Sequence, residues 1–447
     1  MNLGRHSISS TNPIQILDAR FDPDCDIFTA STPAGFAVYQ TNPLKLMRKR
    51  ELTGGTLAAV LPLHSSNILF LLGGGRSPLY PPNKVIIWND AIGKDVAELE
   101  FREKVRGMAC RRGWLAVSLR RRVVVFQIGK SVTRYGEWDT YDNPRGMLAM
   151  ATAPYSTLLA TAGRQTGHVQ LIHLPPCPIA VLRDPPPSSP PRKAPPPLSK
   201  QAVYIIAAHD SALTTLSIPP SGRLLATTSV RQLVKEFRRG SDKADIYGVA
   251  FRPDERELCV WSDKGTVHVF DLMSNSTNRQ SALSPLKSLL PFPKYFESEW
   301  SYAQYRIPVQ SSHISLSSTS RASSSSAVDQ PEEERCVVGW ISVSDDSLQT
   351  PSTQEYQLIA LTFSGGWYRL SLPKVTSKAA SGLYASSGSL SGSPAKSSQT
   401  SYARSATGSS STVRLDKGKE KERDKEKKES RSCTLQEYRR FGRWDGW

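Results

Sequence analysis

Ser156-Thr157-Leu158-Leu159-Ala160-Thr161-Ala162-Gly163 returns, with similar chemistry, as Gly222-Arg223-Leu224-Leu225-Ala226-Thr227-Thr228-Ser229. Each is a short apolar run that closes on small residues and is bounded by turn formers, which reads as a strand and not a helix. A second pair of stretches follows the same rule. Gln165-Thr166-Gly167-His168-Val169-Gln170-Leu171-Ile172 matches Asp263-Lys264-Gly265-Thr266-Val267-His268-Val269-Phe270, a Gly-containing turn feeding a strand. Together these pieces define a unit of three or four strands that repeats about every 40 residues. That rhythm is the signature of a β-propeller.

Working outward, similar runs occupy most of the chain, among them 27–31, 35–40, 57–63, 68–72, 84–88, 105–110, 114–118 and 122–128. Helical periodicity is scarce. Seven units start near Pro13, Thr56, Lys104, Arg145, Ala208, Ala244 and Arg335. The fold class is therefore all-β, a seven-bladed propeller of the WD-repeat type, although the Trp-Asp dipeptide of such repeats is weak here. Unit five is short. After 213–218 and 224–228 there is room for one more strand, 232–237, and nothing corresponds to the turn and strand of 265–270 in unit six. Either blade five lacks a strand or the transcript lacks a piece.

This reading divides the chain as follows. Residues 1–174 carry blades one to four, 175–200 a proline-rich loop, and 201–272 blades five and six. Residues 273–334 hold a blade-six membrane loop and a Ser-rich insert, and 335–373 hold blade seven. Residues 374–432 are a low-complexity insert expected to be disordered. Residues 433–447, with Tyr438, Phe441, Trp444 and Trp447, are too aromatic for a tail and are expected to supply a closing strand.

The 447 residues carry a formal net charge of +17, which points to an anionic partner such as phospholipid headgroups or nucleic acid. The mixed run 414–431 holds nine Lys/Arg and six Asp/Glu, so most of the excess lies elsewhere. Six cysteines, with no Cys-x-x-Cys spacing, argue against a disulfide framework or a zinc site and fit a reducing compartment. The N-terminus lacks the apolar core of a signal peptide, and no apolar run approaches the roughly 20 residues of a spanning helix. Membrane contact is therefore expected to be peripheral.

Catalytic signatures are missing. There is no Gly-x-Ser-x-Gly, no phosphate loop ending in Gly-Lys-Ser/Thr and no His-Glu-x-x-His, and the histidines show no metal-ligand spacing. The chain is read as a non-enzyme with no cofactor and no metal. The binding chemistry centres on Phe237-Arg238-Arg239-Gly240. On an extended chain, adjacent side chains point to opposite faces. Each guanidinium can grip a phosphate through two parallel hydrogen bonds, so the pair suits two anion sites. Thr266 and His268 share one face of a strand, Ser262 lies across the turn, and Lys243 can add charge. These residues with Arg239 would form a phosphate pocket. The loop 284–306 mixes aromatic and basic residues. Leu286, Leu289, Leu290 and Phe292 suit insertion into a bilayer interface, with Lys287 and Lys294 at headgroup level. Packing between blades accounts equally well for 295–302.

Several stretches carry a family resemblance. Phe-Arg-Arg-Gly at 237–240, Ser-Asp-Lys-Gly-Thr-Val-His-Val-Phe at 262–270, Leu-Pro-Phe-Pro-Lys-Tyr-Phe at 290–296 running on to Tyr305, and Glu-Tyr-Arg-Arg-Phe-Gly-Arg-Trp-Asp-Gly-Trp at 437–447 resemble the PROPPIN (WIPI-type) propellers. Tyr80-Pro81-Pro82-Asn83-Lys84-Val85-Ile86-Ile87-Trp88 is similar to the Hsv-type branch, and the low-complexity inserts suggest a fungal member. The resemblance implies a propeller that binds phosphatidylinositol 3-phosphate and phosphatidylinositol 3,5-bisphosphate at two rim sites of blades five and six. Its second site would use Arg239, Lys243, Ser262, Thr266 and His268. Its first would use Arg238, His209 and Ser229, but the family's strand after that serine is missing, so this site is expected to be crippled. The 273–306 loop would be the membrane-inserting loop. Members act in autophagy and in vacuolar or endosomal traffic, and recruit the lipid-transfer protein of the autophagosome. Blades two and three, with 77–84 exposed, are the candidate surface for that partner, and the chain is expected to be a monomer. A pure protein scaffold whose arginines meet acidic peptides is the alternative. A nucleic-acid binder is disfavoured, because the aromatics gather in one loop and do not line a basic groove.

Overall fold

The computed structural model describes residues 15–176, 203–229, 237–238, 244–273, 278, 299–308, 335–343, 355–373 and 432–442. Among them, every residue in regular structure belongs to a strand. Six sheets are four-stranded antiparallel meanders, and in each the strands follow one another in chain order except where one loop intervenes. Blade one, for example, runs Asp18–Phe21, Ile27–Thr32, Gly35–Gln40 and Lys45–Glu51. Its two middle strands are buried almost throughout, as a sheet covered on both faces requires. The outermost strand mixes half-buried and exposed residues.

The core is a series of apolar layers between neighbouring blades. Ala59, Phe70, Val85, Leu115, Val117 and Val124 lie in the layer between blades two and three. The last layer joins the two ends of the chain. The strand Thr434–Arg440 pairs with Gly366–Ser371 of blade seven. Phe441, fully buried, then meets blade one, edge-on to Phe28 at 5.2 Å and to Tyr39 at 5.7 Å. Trp367 Nε1 donates to Thr41 O at 3.1 Å, and Gly442 N–H donates to the Tyr39 hydroxyl at 3.0 Å. Each of these two blades is built from its own end of the chain, so the ring closes by side-chain packing and a few hydrogen bonds.

The fifth position departs from the pattern. Only Leu213–Ser217 and Ala226–Ser229 pair there, as a two-stranded sheet. The sequence predicts 232–237 as a third strand of this blade. Residues 230–236 lie outside the described residues, and the end of that stretch belongs elsewhere. Phe237–Arg238 runs parallel to Glu299–Trp300, with Phe237 opposite Glu299 and Arg238 opposite Trp300. The physical cause is apolar. The Phe237 ring packs on Phe270 of blade six at 4.9 Å, within the Val249–Leu258–Val260–Phe270 layer. In blade four, Val203, Tyr204, Ile205 and Ile206 of the outer strand are all exposed.

Candidate phosphate-binding rim

The second predicted site lies on blade six. Glu257–Ser262 and Thr266–Asp271 pair with Val260 opposite His268 and Trp261 opposite Val267. Side chains alternate along a strand, so the register puts Ser262, Thr266 and His268 on one face. The turn between them is tight. Gly265 N–H donates to Ser262 O at 3.1 Å, and Gly265 has φ +62°, the left-handed conformation this hairpin needs. Ser262 is fully buried and its hydroxyl accepts the Lys264 N–H at 3.4 Å. Thr266 is half-buried, with its hydroxyl donating to Lys264 O at 3.4 Å. His268 is 5% exposed, and its Nδ1 lies 2.9 Å from Ser301 Oγ.

The segment 299–301 connects this face to the arginine motif. Its first two residues run beside Phe237 and Arg238, and its third touches His268. The Arg238 backbone is thus brought next to the strand pair that carries Ser262, Thr266 and His268. The Arg238 side chain, Arg239, Gly240 and Lys243 lie outside the described residues, as do Leu286, Leu289, Leu290 and Phe292. The chain enters blade six from the motif through Asp245, whose carbonyl accepts the Asp263 N–H at 2.9 Å. Asp245 N–H also donates to Asp263 Oδ1 at 3.1 Å. Lys264, half-exposed and ion-paired to Asp263 at 3.2 Å, sits on the same turn.

The first predicted site lies between blades four and five. His209 is buried, with Nε2 2.7 Å from Thr227 Oγ1, and its backbone N–H donates to Gly167 O at 3.1 Å. That approach excludes any other residue at 167, because a Cβ there would lie 1.8 Å from His209 O, and φ is +74°. Ser229 Oγ is 2.6 Å from Ser211 Oγ and donates to Ala212 O at 3.0 Å. His209 and Ser229 are therefore held in a local hydroxyl network with Thr227 and Ser211. No strand flanks Ser229 beyond its pairing with Leu213 among the described residues.

Beneath the second site, Tyr302 donates its phenol to Glu257 Oε1 at 2.6 Å. Burial, then the Glu257 carboxylate, pushes that phenol far above its usual range. Burial also raises Glu257 itself. Cys25, Cys110, Cys259, Cys336 and Cys433 are free thiols. Burial pushes Cys25 and Cys433 up to about 12, which makes them poor nucleophiles. Among the described residues no three His, Cys, Asp or Glu gather as a metal site, and no helix is long and apolar enough to cross a membrane. On the surface expected to meet a partner, Ser77, Pro78 and Pro81 are exposed, but Leu79, Tyr80 and 82–84 are half-buried. The 77–84 loop folds back on Thr56, whose N–H donates to Ser77 O at 2.8 Å, so it is less open than the sequence suggests.

Ser301, Asn278 and Thr227 escape the sequence reading. Ser301 is 33 residues from His268 and separated from it by a long loop, so spacing carries no signal of their contact. Thr227 lies two residues before Ser229 on one strand face and was open to a period-two argument.

No family model matches the chain. A curated relative, "SVP1-like protein 2" of Pichia angusta, is 32% identical over 309 residues, which span 65% of this chain and 81% of that protein. "Autophagy-related protein 18e" of Arabidopsis thaliana is 29% identical over 319 residues, 67% of this chain and 78% of that one. Among solved structures, "Kluyveromyces lactis Hsv2 complete loop 6CD" superposes with a TM-score of 0.54 at 19% identity, over 80% of this chain and 93% of that one, a likeness of fold.

Proposed function

The chain belongs to the PROPPIN family of β-propellers, and from that premise we propose that it is a non-enzymatic phosphoinositide effector. It binds phosphatidylinositol 3-phosphate and phosphatidylinositol 3,5-bisphosphate on vacuolar, endosomal or pre-autophagosomal membranes. There it recruits protein partners in autophagy and membrane traffic, the autophagosomal lipid-transfer protein among the candidates. The observation that carries this reading is the pairing of Arg238 with Trp300 one residue before Ser301, which bonds His268. It sets an arginine strand beside a face of three hydrogen-bonding side chains, Ser262, Thr266 and His268. Phosphate recognition needs such a mixture, since guanidinium supplies charge and hydroxyl and imidazole N–H supply direction.

Arg239 and Lys243 complete this second site with those three side chains. The first site, Arg238 with His209 and Ser229, lacks its flanking strand and contributes little. Leu286, Leu289, Leu290 and Phe292 enter the bilayer interface beside it. Apolar insertion and headgroup capture act on one surface, so their effects multiply. Basic residues near an anionic leaflet add on the order of 1 kcal/mol each. Flotation of the protein with vesicles containing or lacking phosphatidylinositol 3-phosphate tests the reading. Binding confined to the first is expected, and equal binding to both defeats it.

A further inference from the structure

Ser301 is held from both sides. Before it, Glu299 and Trp300 run parallel to Phe237 and Arg238. After it, Tyr302 donates its backbone N–H to Val269 O at 3.1 Å and its phenol to Glu257, and Ala303 pairs with Val269. Asn278, 3% exposed, donates to Glu299 Oε2 and to Asp271 O, each at 2.6 Å, and accepts the Asp271 N–H at 2.8 Å. These bonds fasten the segment 299–301 to the strand that carries His268. A hydroxyl on so fixed a backbone is a directed dipole, and it lies 2.9 Å from Nδ1 of a buried imidazole.

The bond made by one ring nitrogen of a histidine sets what the other carries. A phosphate oxygen is an acceptor, so the nitrogen that addresses it must bear a proton. We propose that Ser301 is a positioning residue of the phosphoinositide site. Its hydroxyl donates to His268 Nδ1, which keeps the ring proton on Nε2 and directs Nε2–H at the headgroup phosphate. The inference rests on the assignment of His268 to that site. It also makes 299–301 a physical link, because one short segment flanks the arginine strand and orients the imidazole.

Two measurements on the full chain test this. Long-range proton–nitrogen spectra at pH 8, where an ordinary histidine is neutral, should show His268 as the Nε2–H tautomer, and an Nδ1–H ring overturns the proposal. In titrations with phosphatidylinositol 3-phosphate vesicles, Ser301→Ala should weaken binding about tenfold, the effect of one lost hydrogen bond to a site residue. Ser301→Thr, which keeps the hydroxyl, should restore it. Ser301→Ala binding like wild type overturns the proposal, and if that variant does not fold, the wild-type spectrum decides. The parallel variant His268→Ala separates the two levels. If it binds like wild type, His268 is outside the site and the reading beneath fails. If it binds weakly while Ser301→Ala does not, only the role of Ser301 fails.

Discussion

Asp22 is 2% exposed, with Oδ1 accepting the Ile27 N–H at 3.1 Å and Oδ2 lacking a partner among the described residues. Burial raises its carboxyl to about 6 against an ordinary 3.8, and neighbouring Asp24 and Asp26 push the same way. A carboxyl raised by folding stabilises the protein below its unfolded value and loses that contribution as pH climbs through the folded one. The amount lost between about pH 4 and pH 7 is roughly 3 kcal/mol. Asp22→Asn should therefore melt higher than wild type at pH 7.5 and lose that advantage at pH 4. A thermal melt at each pH checks it, and an unchanged difference would contradict it. Asp24 moves oppositely, lowered chiefly by its 2.7 Å bond with His64, so its contribution vanishes as pH falls. At this scale the sequence was partly legible. Strand alternation alone puts Thr266 and His268 on one face, and the hairpin register adds Ser262. Period-two reasoning cannot reach Ser301, because a contact across a long loop leaves no local spacing.

The fifth blade is the element on which the proposed lipid stoichiometry turns. Among the described residues two strands pair there, and the layer against blade four buries Ala160, Val169 and Leu213. The strand that the sequence does not supply would have flanked Ser229, in the proposed first site. Its remaining residues, His209 and Ser229, bond within the local network of Thr227 and Ser211. Ser229→Ala should accordingly leave vesicle affinity within about twofold of wild type, whereas Thr266→Ala in the intact blade six should cost about tenfold. Vesicle titrations of the two variants compare them directly, and equal losses would mean that the first site works. The strand rhythm predicts a short blade, because a missing Gly turn is visible as a gap. It could not show that Phe237 joins another sheet. That outcome depends on Phe270, a tertiary partner that no local pattern announces. The exposed Val203–Ala207 strand of blade four is an apolar edge of the kind that invites association.

At the scale of the molecule, the ring has to close, and Phe441 is the wedge that closes it. It is fully buried against Phe28 and Tyr39, so Phe441→Ala should cost about 3–5 kcal/mol by removing a packed ring. Denaturant unfolding measures this, and a loss below about 1 kcal/mol would mean the closure is held elsewhere. The architecture was legible because six four-stranded sheets repeat one pattern, and a repeat announces itself wherever it starts. The charge of +17 was legible too, but it does not by itself distinguish a specific headgroup from any anionic surface. The decisive measurement therefore holds charge constant. Binding isotherms of wild type and Arg238→Thr/Arg239→Thr are compared on vesicles with phosphatidylinositol 3-phosphate and on vesicles matched in charge by phosphatidylserine. The account predicts strong binding by wild type to the first vesicles alone, and a loss of about 10- to 100-fold in the double variant. Equal affinity of wild type for both vesicles, or a double variant that still binds the phosphoinositide, would contradict it.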